Sequence, residues 1–205
     1  MSTTGKAAEN KRKKREALIH TAFELFSNDG FAHTSIADIA EKAGVGKGTF
    51  YFYFRDKYDL RNHIIARKSA EIFTRAKNAL DHTDLVTLED KIIFMADHII
   101  SQLENDVITL RFVYKNLSWG VFESAFIDHV ETDVDFASIF AQAIAESTVR
   151  YENPLIMIYM IIELISSTCH DSILYGKPLP IDEMKGYVFT SIRAIMKAQE
   201  IHEPA

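Results

Sequence analysis

The fold is decided by residues His33–Leu60, which read HTSIADIAEKAGVGKGTFYFYFRDKYDL. Ser35 is a favourable N-cap residue, and Asp38, three positions later, can return the hydrogen bond to the cap. A helix of about two turns then reaches Gly44, which permits a tight turn. A second short helix is predicted over 46–54. Two short helices joined by a glycine-containing turn are typical of a helix-turn-helix.

The second short helix divides its residues between two faces. Phe50 and Phe54 are four positions apart, so they share one face and can anchor the helix inward. Lys47 and Tyr51 share another face, which is available to solvent or DNA. Thr49 can donate to a phosphate or offer its methyl group to thymine. The same pattern would suit an ordinary corner in a helical bundle, and this alternative stays open.

The rest of the chain also follows the helical period. An apolar stripe over Leu18–Phe26 ends shortly before Gly30, a residue suited to the left-handed position after a helix. Because no run alternates apolar and polar residues as a strand would, we expect an all-α protein. Further helices are predicted over 57–80, 87–104, 107–117, 122–149, 155–176 and 182–199.

The net charge of −6 hides an asymmetry between the two ends of the chain. Residues 1–61 carry eleven Lys/Arg against eight Asp/Glu, whereas the remainder carries twelve against twenty-one. A basic head on an acidic body can bind phosphates while the body repels them. The basic run Lys11–Arg15 is by itself typical of a solvated segment, but its position beside the helix-turn-helix favours phosphate contact.

Composition excludes several other classes of protein. The longest apolar candidate, Leu155–Ile165, is broken by Glu163 and is shorter than the roughly 18 residues of a membrane span. No secretory signal is expected at the polar and basic N-terminus. The single cysteine, Cys169, excludes an intramolecular disulfide and a multi-cysteine metal site. We therefore expect a cytoplasmic protein with no metal, no cofactor and no membrane partner.

A resemblance to a known family is carried by Gly30-Phe31, Thr34-Ser35-Ile36, Asp38-Ile39-Ala40, Ala43-Gly44-Val45, Lys47-Gly48-Thr49, Tyr51, Tyr53-Phe54, Lys57 and Leu60. In this order, these residues resemble the N-terminal domain of TetR/AcrR-type transcriptional regulators. The resemblance implies a three-helix helix-turn-helix DNA-binding domain over 1–60. It further implies a larger C-terminal helical domain over 61–205 for ligand binding and dimerisation.

The resemblance also implies which residues meet a double-stranded DNA operator. Thr34 and Ser35 would cap the second helix and touch phosphate, and Lys57 would pair with phosphate at the start of the fourth helix. Phe52 stands where a polar or basic residue is frequent, so apolar contact and DNA shape would carry much of the specificity. The complete set assigned to DNA is Thr34, Ser35, Lys47, Gly48, Thr49, Tyr51, Phe52, Tyr53 and Lys57.

A homodimer is expected because a helix of about two turns reads few bases and two-fold pairing doubles the contacts. The resemblance places the interface on the helices predicted over 155–176 and 182–199. Alternatively, these helices only fill the core of a monomer. The candidate interface residues are Ile156, Tyr159, Met160, Glu163, Leu164, Ser167, Tyr187, Ser191 and Ile195.

Large apolar side chains concentrate in the central helices and could line a cavity for an unknown small-molecule effector. Each of them taken singly is more typical of core. Glu163 interrupts an apolar run, and a buried carboxylate needs a partner, either in a ligand or across the dimer. The candidate pocket residues are Phe94, Met95, His98, Phe112, Tyr114, Trp119, Phe122, Phe126 and Glu163.

These expectations combine into a ligand-responsive repressor that binds a palindromic operator as a homodimer. In the alternative, the DNA-binding regulator has no small-molecule ligand and is controlled by a protein partner. An enzyme is not expected, because the consecutive residues of Cys169-His170-Asp171 point about 100° apart on a helix and cannot form a nucleophile–base chain.

Overall fold

The computed structural model describes residues 3–114 and 136–201. These residues form nine helices and no strand, so the predicted all-α class is confirmed. The chain divides into two compact units, Met1–Ile65 and Ala66–Ala205. The division lies slightly beyond the boundary that we predicted after residue 60.

Unit 1 (Met1–Ile65) is built from α1 (Thr3–Asn28), α2 (Ile36–Lys42), α3 (Lys47–Tyr53) and the start of α4 (Lys57–Leu80). Helices α2 and α3 have seven residues each, too few to be stable in isolation. Burial of apolar side chains therefore holds them in place. All four helices contribute to this core: Leu18, Ile19, Ala22, Phe26, Ile39, Ala40, Phe50, Phe54, Leu60 and Ile64 are buried.

Two glycines end helices of unit 1 as predicted. Gly30 has φ 87° and Gly44 has φ 68°, both in the left-handed region that disfavours residues with a Cβ. At the end of α2, the Gly44 N–H donates to Glu41 O at 3.0 Å and the Val45 N–H donates to Ala40 O at 2.9 Å. These bonds pair carbonyls that the end of a helix would otherwise leave unpaired.

Unit 2 (Ala66–Ala205) contains the rest of α4, α5 (Leu88–Asn105), α6 (Val107–Val113), α7 (Phe136–Ala145), α8 (Pro154–Tyr175) and α9 (Ile181–Ala198). Helix α8 packs against α9, α5 and α6. The main core of unit 2 includes Ile92, Ala96, Ile100, Met157, Ile161, Ile165, Val188, Ile192 and Met196.

Most helix bounds in unit 2 agree closely with the predicted ones, but α6 and α7 end earlier than predicted. Helix α6 ends because Tyr114 adopts φ −59° and ψ 138°, outside the helical region. Helix α7 ends at Ala145. Shortly after it, the Ser147 hydroxyl donates to Val149 O at 3.0 Å and accepts from the Val149 N–H at 3.2 Å. Such local bonds compete with helical ones.

Helix α8 is both long and strongly apolar. Its 22 residues are long and apolar enough, by length and composition alone, to cross a membrane, although the sequence predicted no such segment. The core helix of a soluble protein has the same composition, and Met157, Ile161, Ile165 and Cys169 of α8 are buried against neighbouring helices. Packing inside unit 2 accounts for the buried side of this helix, whereas Ile156 and Met160 on it are exposed.

Candidate nucleic-acid interface and ligand cavity

A capping box starts α2, as the spacing of Ser35 and Asp38 predicted. The Asp38 N–H donates to Ser35 Oγ at 3.2 Å, and the Ser35 N–H donates to Asp38 Oδ2 at 2.8 Å. The hydrogen bonds with Ser35 lower the pKa of the Asp38 carboxyl below its usual value. The box fixes the point where the chain enters the helix-turn-helix.

Helix α3 has the two faces that its spacing predicted. Phe50 is fully buried and Phe54 is 3% exposed, whereas Tyr51 is 58% and Phe52 65% exposed. An aromatic side chain that is mostly in water costs free energy unless it meets a partner. The buried rings of Phe50 and Phe54 thus anchor α3. In this position the helix exposes Tyr51 and Phe52 to solvent.

The start of α3 adds polar and small residues to the same unit. Lys47 and Gly48 are exposed, and Thr49 is half-buried. A Cβ added at Gly48 would meet no atom within 4 Å, so packing inside the protein does not require glycine here. The α3 surface is defined here as Lys47, Gly48, Thr49, Tyr51 and Phe52.

Thr34 and Lys57, both assigned to DNA by the resemblance, make bonds inside unit 1. Thr34 is 3% exposed and its hydroxyl donates to Gly30 O at 3.0 Å. The Lys57 ammonium donates to Phe31 O at 2.6 Å and to Thr34 O at 2.8 Å. It also lies 4.4 Å from the centroid of the Phe31 ring. These contacts tie the loop between α1 and α2 to the start of α4.

Tyr53 makes a contact that local spacing could not predict. Its hydroxyl donates to the Lys11 carbonyl of α1 at 2.8 Å. The Lys11 ammonium in turn lies 4.8 Å from the centroid of the Phe52 ring, within the range of a cation–π contact. From the sequence, the basic run Lys11–Arg15 was expected to contact phosphates because it lies beside the helix-turn-helix. The structure has a helix there, and joins it to α3 at two places.

Unit 2 contains a largely apolar cavity of about 460 Å³. Side chains of α4, α5, α7 and α8 line it, among them Phe73, Met95, Ile139, Ile161, Ile162 and Ile165. Four charged residues of the lining form two ion pairs. Lys77 Nζ lies 2.6 Å from Asp81 Oδ1, and Lys91 Nζ lies 3.9 Å from Glu146 Oε2. An apolar volume with a few charged groups is typical of a small-molecule site.

Of the residues proposed for a pocket, Met95 lines this cavity. Phe94 and His98 stack on each other, with ring centroids 6.1 Å apart. The other described candidates are not part of the lining: Phe112 is buried, Tyr114 stacks on His170 at 3.3 Å, and Glu163 is half-buried in α8. Trp119, Phe122 and Phe126 lie outside the described residues. Isoleucine is the most frequent residue type in the lining, and no isoleucine was among the predicted pocket residues.

The residues proposed for a dimer interface lie on α8 and α9 with mixed exposure. Ile156 is 38%, Met160 42% and Tyr187 66% exposed, large fractions for side chains of this size. Ser167 is exposed as well. The remaining candidates, Tyr159, Glu163, Leu164, Ser191 and Ile195, are half-buried.

The structure also places Cys169, His170 and Asp171, the cluster considered above as a possible catalytic site. Cys169 is 1% exposed, and burial raises the pKa of its thiol, which keeps it protonated and a poor nucleophile. The His170 Nδ1–H donates to Asp171 Oδ1 at 2.7 Å. In the parts of the chain that the structure describes, no group of three or more His, Cys, Asp or Glu could hold a metal ion.

Comparison with known families identifies the class of the N-terminal unit. Residues 18–64 match the model of the bacterial regulatory proteins of the tetR family. The matched segment contains the capping box, α2, α3 and the buried residues Phe50 and Phe54. Residues 18–64 of this chain are therefore similar to the N-terminal domain of tetR-family regulatory proteins.

Relatives and solved structures agree with this assignment. The fatty acid metabolism regulator protein of Bacillus subtilis (strain 168) is 28% identical over 98 residues, which cover 48% of this chain and 50% of that protein. The chain thus spans about half the length of this relative. A tetR family transcription regulator from Shewanella sp. PV-4 superposes with a TM-score of 0.61 at 19% identity, covering 92% of this chain and 99% of that one.

A third similar protein was solved with a ligand. The transcriptional regulator FadR from Bacillus subtilis, in complex with stearoyl-CoA, superposes with a TM-score of 0.59 at 16% identity, covering 91% of this chain and 99% of that one. At this identity the likeness shows the fold alone. It extends over both units and therefore confirms the helical class of the C-terminal unit.

Proposed function

We propose that this chain is a transcriptional repressor that binds a palindromic operator as a homodimer and releases it on binding a small apolar ligand. The observation that carries DNA binding is the α3 surface. Tyr51 and Phe52 are exposed beside Lys47, while Phe50 and Phe54 are buried and hold the helix. Phe52 would contact thymine methyl groups, and Lys47 a phosphate or guanine.

Dimerisation is supported by the apolar side chains exposed on α8 and α9. Ile156, Met160 and Tyr187 each expose more than a third of their surface. Apolar side chains of this size are favourable at the centre of a protein–protein interface. A helix of seven residues reads only a few base pairs, so two copies give the affinity and the two-fold symmetry of a palindrome.

An effector is supported by the cavity of unit 2, whose volume of about 460 Å³ lies within the usual range of ligand pockets. Its isoleucine-rich lining suits a hydrocarbon chain. FadR of Bacillus subtilis has this fold and was solved with stearoyl-CoA, which makes long acyl chains the first class to test. The cavity favours a ligand over control by a protein partner alone, because a site for a partner needs no internal volume.

The remaining parts of the proposal follow from DNA binding. The protein would act in the cytoplasm, where bacterial DNA lies. It would not act as an enzyme, which agrees with the regulators that it resembles. A ligand changes operator affinity only by its different affinity for the two conformations of the dimer. We propose that it tilts α4 and so changes the spacing of the two DNA-binding units.

The decisive experiment first selects a duplex from a random pool with the wild-type chain. Affinity is then measured by fluorescence anisotropy for Tyr51→Ala and for the control Tyr175→Ala, whose side chain is 62% exposed but lies in unit 2. We expect at least about a tenfold loss for Tyr51→Ala, as for a lost base or phosphate contact, and none for the control. Light scattering should give two chains per duplex. No selected sequence, or equal affinity of both variants, would overturn the proposal.

A further inference from the structure

The positive charge of unit 1 lies almost entirely outside its helix-turn-helix. Residues 1–17 contain six Lys/Arg and two Glu, a net charge of +4, whereas residues 18–65 contain five Lys/Arg and six Asp/Glu, a net charge of −1. DNA carries one negative charge per about 1.7 Å of duplex, and cationic side chains supply much of the affinity for it. The helix-turn-helix alone therefore lacks the charge that a DNA-binding surface normally has.

The charged segment is helical and is held beside α3. The Tyr53 hydroxyl donates to Lys11 O at 2.8 Å, and Lys11 Nζ lies 4.8 Å from the Phe52 centroid. One turn further along α1, the Arg15 guanidinium donates to His63 Nε2 of α4. These contacts place the turn Lys11–Arg15 next to the exposed aromatic side chains of α3.

Stability of α1 does not explain this run of cations. Lys11 and Lys14 are three positions apart and Lys11 and Arg15 are four apart, so like charges meet on one helical face. Each such pair costs an isolated helix a few tenths of a kcal/mol. Lys13 is offset by Glu9, 2.8 Å away, while the side chains of Arg12 and Lys14 are exposed. An anionic partner would compensate the repulsion.

We propose that the turn Lys11–Arg15 of α1 is a second DNA-contacting surface, which binds phosphates beside the groove that α3 enters. This inference rests on the proposed function. Arg12 and Lys14 bind the sugar–phosphate backbone, and Lys11 holds Phe52 against the same duplex. Because phosphates are present in every sequence, this surface raises affinity for any duplex and leaves sequence preference to α3.

The test compares the salt dependence of two charge-matched double variants. Arg12→Gln/Lys14→Gln removes two exposed cations from α1, and Lys177→Gln/Lys197→Gln removes two exposed cations from unit 2. Glutamine forms helices about as well as arginine and lysine. Binding to the selected duplex and to a scrambled duplex is measured by anisotropy over a series of salt concentrations, and helicity by circular dichroism.

For the α1 variant, we expect the slope of log K against log salt to become shallower by about 0.9 per lost phosphate contact, hence by about 3 to 4 for a dimer. Affinity for the selected and the scrambled duplex should fall by the same factor. The unit 2 control should keep the wild-type slope. Arg12→Lys/Lys14→Arg, which preserves both charges, should restore it.

Two outcomes separate this inference from the proposed function. A wild-type slope in the α1 variant, while Tyr51→Ala still loses the selected duplex, overturns the second surface and leaves DNA binding by α3 intact. A loss confined to the selected duplex also overturns it, because Arg12 or Lys14 would then read bases. If the wild-type chain binds no duplex, the proposed function itself fails.

Discussion

The two units of the chain differ in how their residues relate to their proposed roles. In unit 1, buried Phe50 and exposed Tyr51 are neighbours on one seven-residue helix. A local pattern therefore distinguishes the residue that anchors the helix from the residue proposed to contact DNA. In unit 2, the cavity takes its lining from four helices far apart in the chain, from Phe73 to Ile165. The first kind of site follows from spacing along the sequence. The second depends on how whole helices pack.

The largest expected effect comes from removing one core side chain from each unit. Phe50→Ala should lower the free energy of unfolding of unit 1 by about 3–5 kcal/mol, because it leaves a cavity at a fully buried ring. Met157→Ala should cost unit 2 about 2–5 kcal/mol. Hydrogen exchange read by mass spectrometry should show lost protection in the mutated unit. Equal loss in both units would mean that they unfold as one block.

Lys57 and Lys47 were both assigned to DNA, and the structure gives them different surroundings. Lys57→Met leaves Phe31 O and Thr34 O without their donor and should cost about 1.5–3 kcal/mol of stability, the range for bonds to a charged group. Lys47→Met, at an exposed position, should leave stability within about 0.5 kcal/mol of wild type but weaken DNA binding. Urea unfolding and anisotropy measure the two effects, and the reverse pattern would contradict these roles.

The cavity can be tested by filling it. Ala143 lines the cavity and Ala145 is an exposed residue of the same helix. Ala143→Trp should weaken binding of stearoyl-CoA at least about tenfold, equivalent to about 1.4 kcal/mol, whereas Ala145→Trp should bind as wild type does. Calorimetry measures both. Equal binding by the two variants would exclude the cavity, and no binding by the wild type would exclude long acyl-CoA as its ligand.

The capping box predicts the smallest effect. Ser35→Ala should cost about 1 kcal/mol, the usual value of an N-cap. Because the folded-state pKa of Asp38 is lowered, its contribution is complete above the unfolded pKa of about 3.9 and is lost as the pH falls through the folded value. Wild type and Asp38→Asn should therefore differ in urea midpoint at pH 7, and the difference should shrink as the pH falls below the folded-state pKa of Asp38. A constant difference would contradict the role of the carboxylate.

The sequence was sufficient to predict those features that depend on residues close together in the chain. The capping box, the turn at Gly44 and the buried pair Phe50 and Phe54 all depend on spacings of three or four positions. Long-range partners were not predictable in this way. The Tyr53 hydroxyl meets a carbonyl 42 positions away, and the Lys57 ammonium meets carbonyls 26 and 23 positions away. No local pattern specifies such partners.

The cavity shows the same limit on a larger scale. Aromatic side chains were expected to line it because they are large and apolar. Phe73 and Phe140 do line it, whereas Phe94 is not part of the lining and stacks on His98. Isoleucines of α7 and α8 line much of it. A cavity forms where packed helices leave a volume unfilled, and that volume depends on helix positions rather than on residue type.

The bond from Tyr53 to α1 ends on a main-chain oxygen. Every amino acid supplies such an oxygen, so this contact is indifferent to the side chain at position 11. Mutation can therefore exchange the side chains of this turn one at a time while the bond that locates it persists. If the turn binds phosphates, evolution can adjust the protein to cells of different salinity without redesigning the way it recognises a sequence.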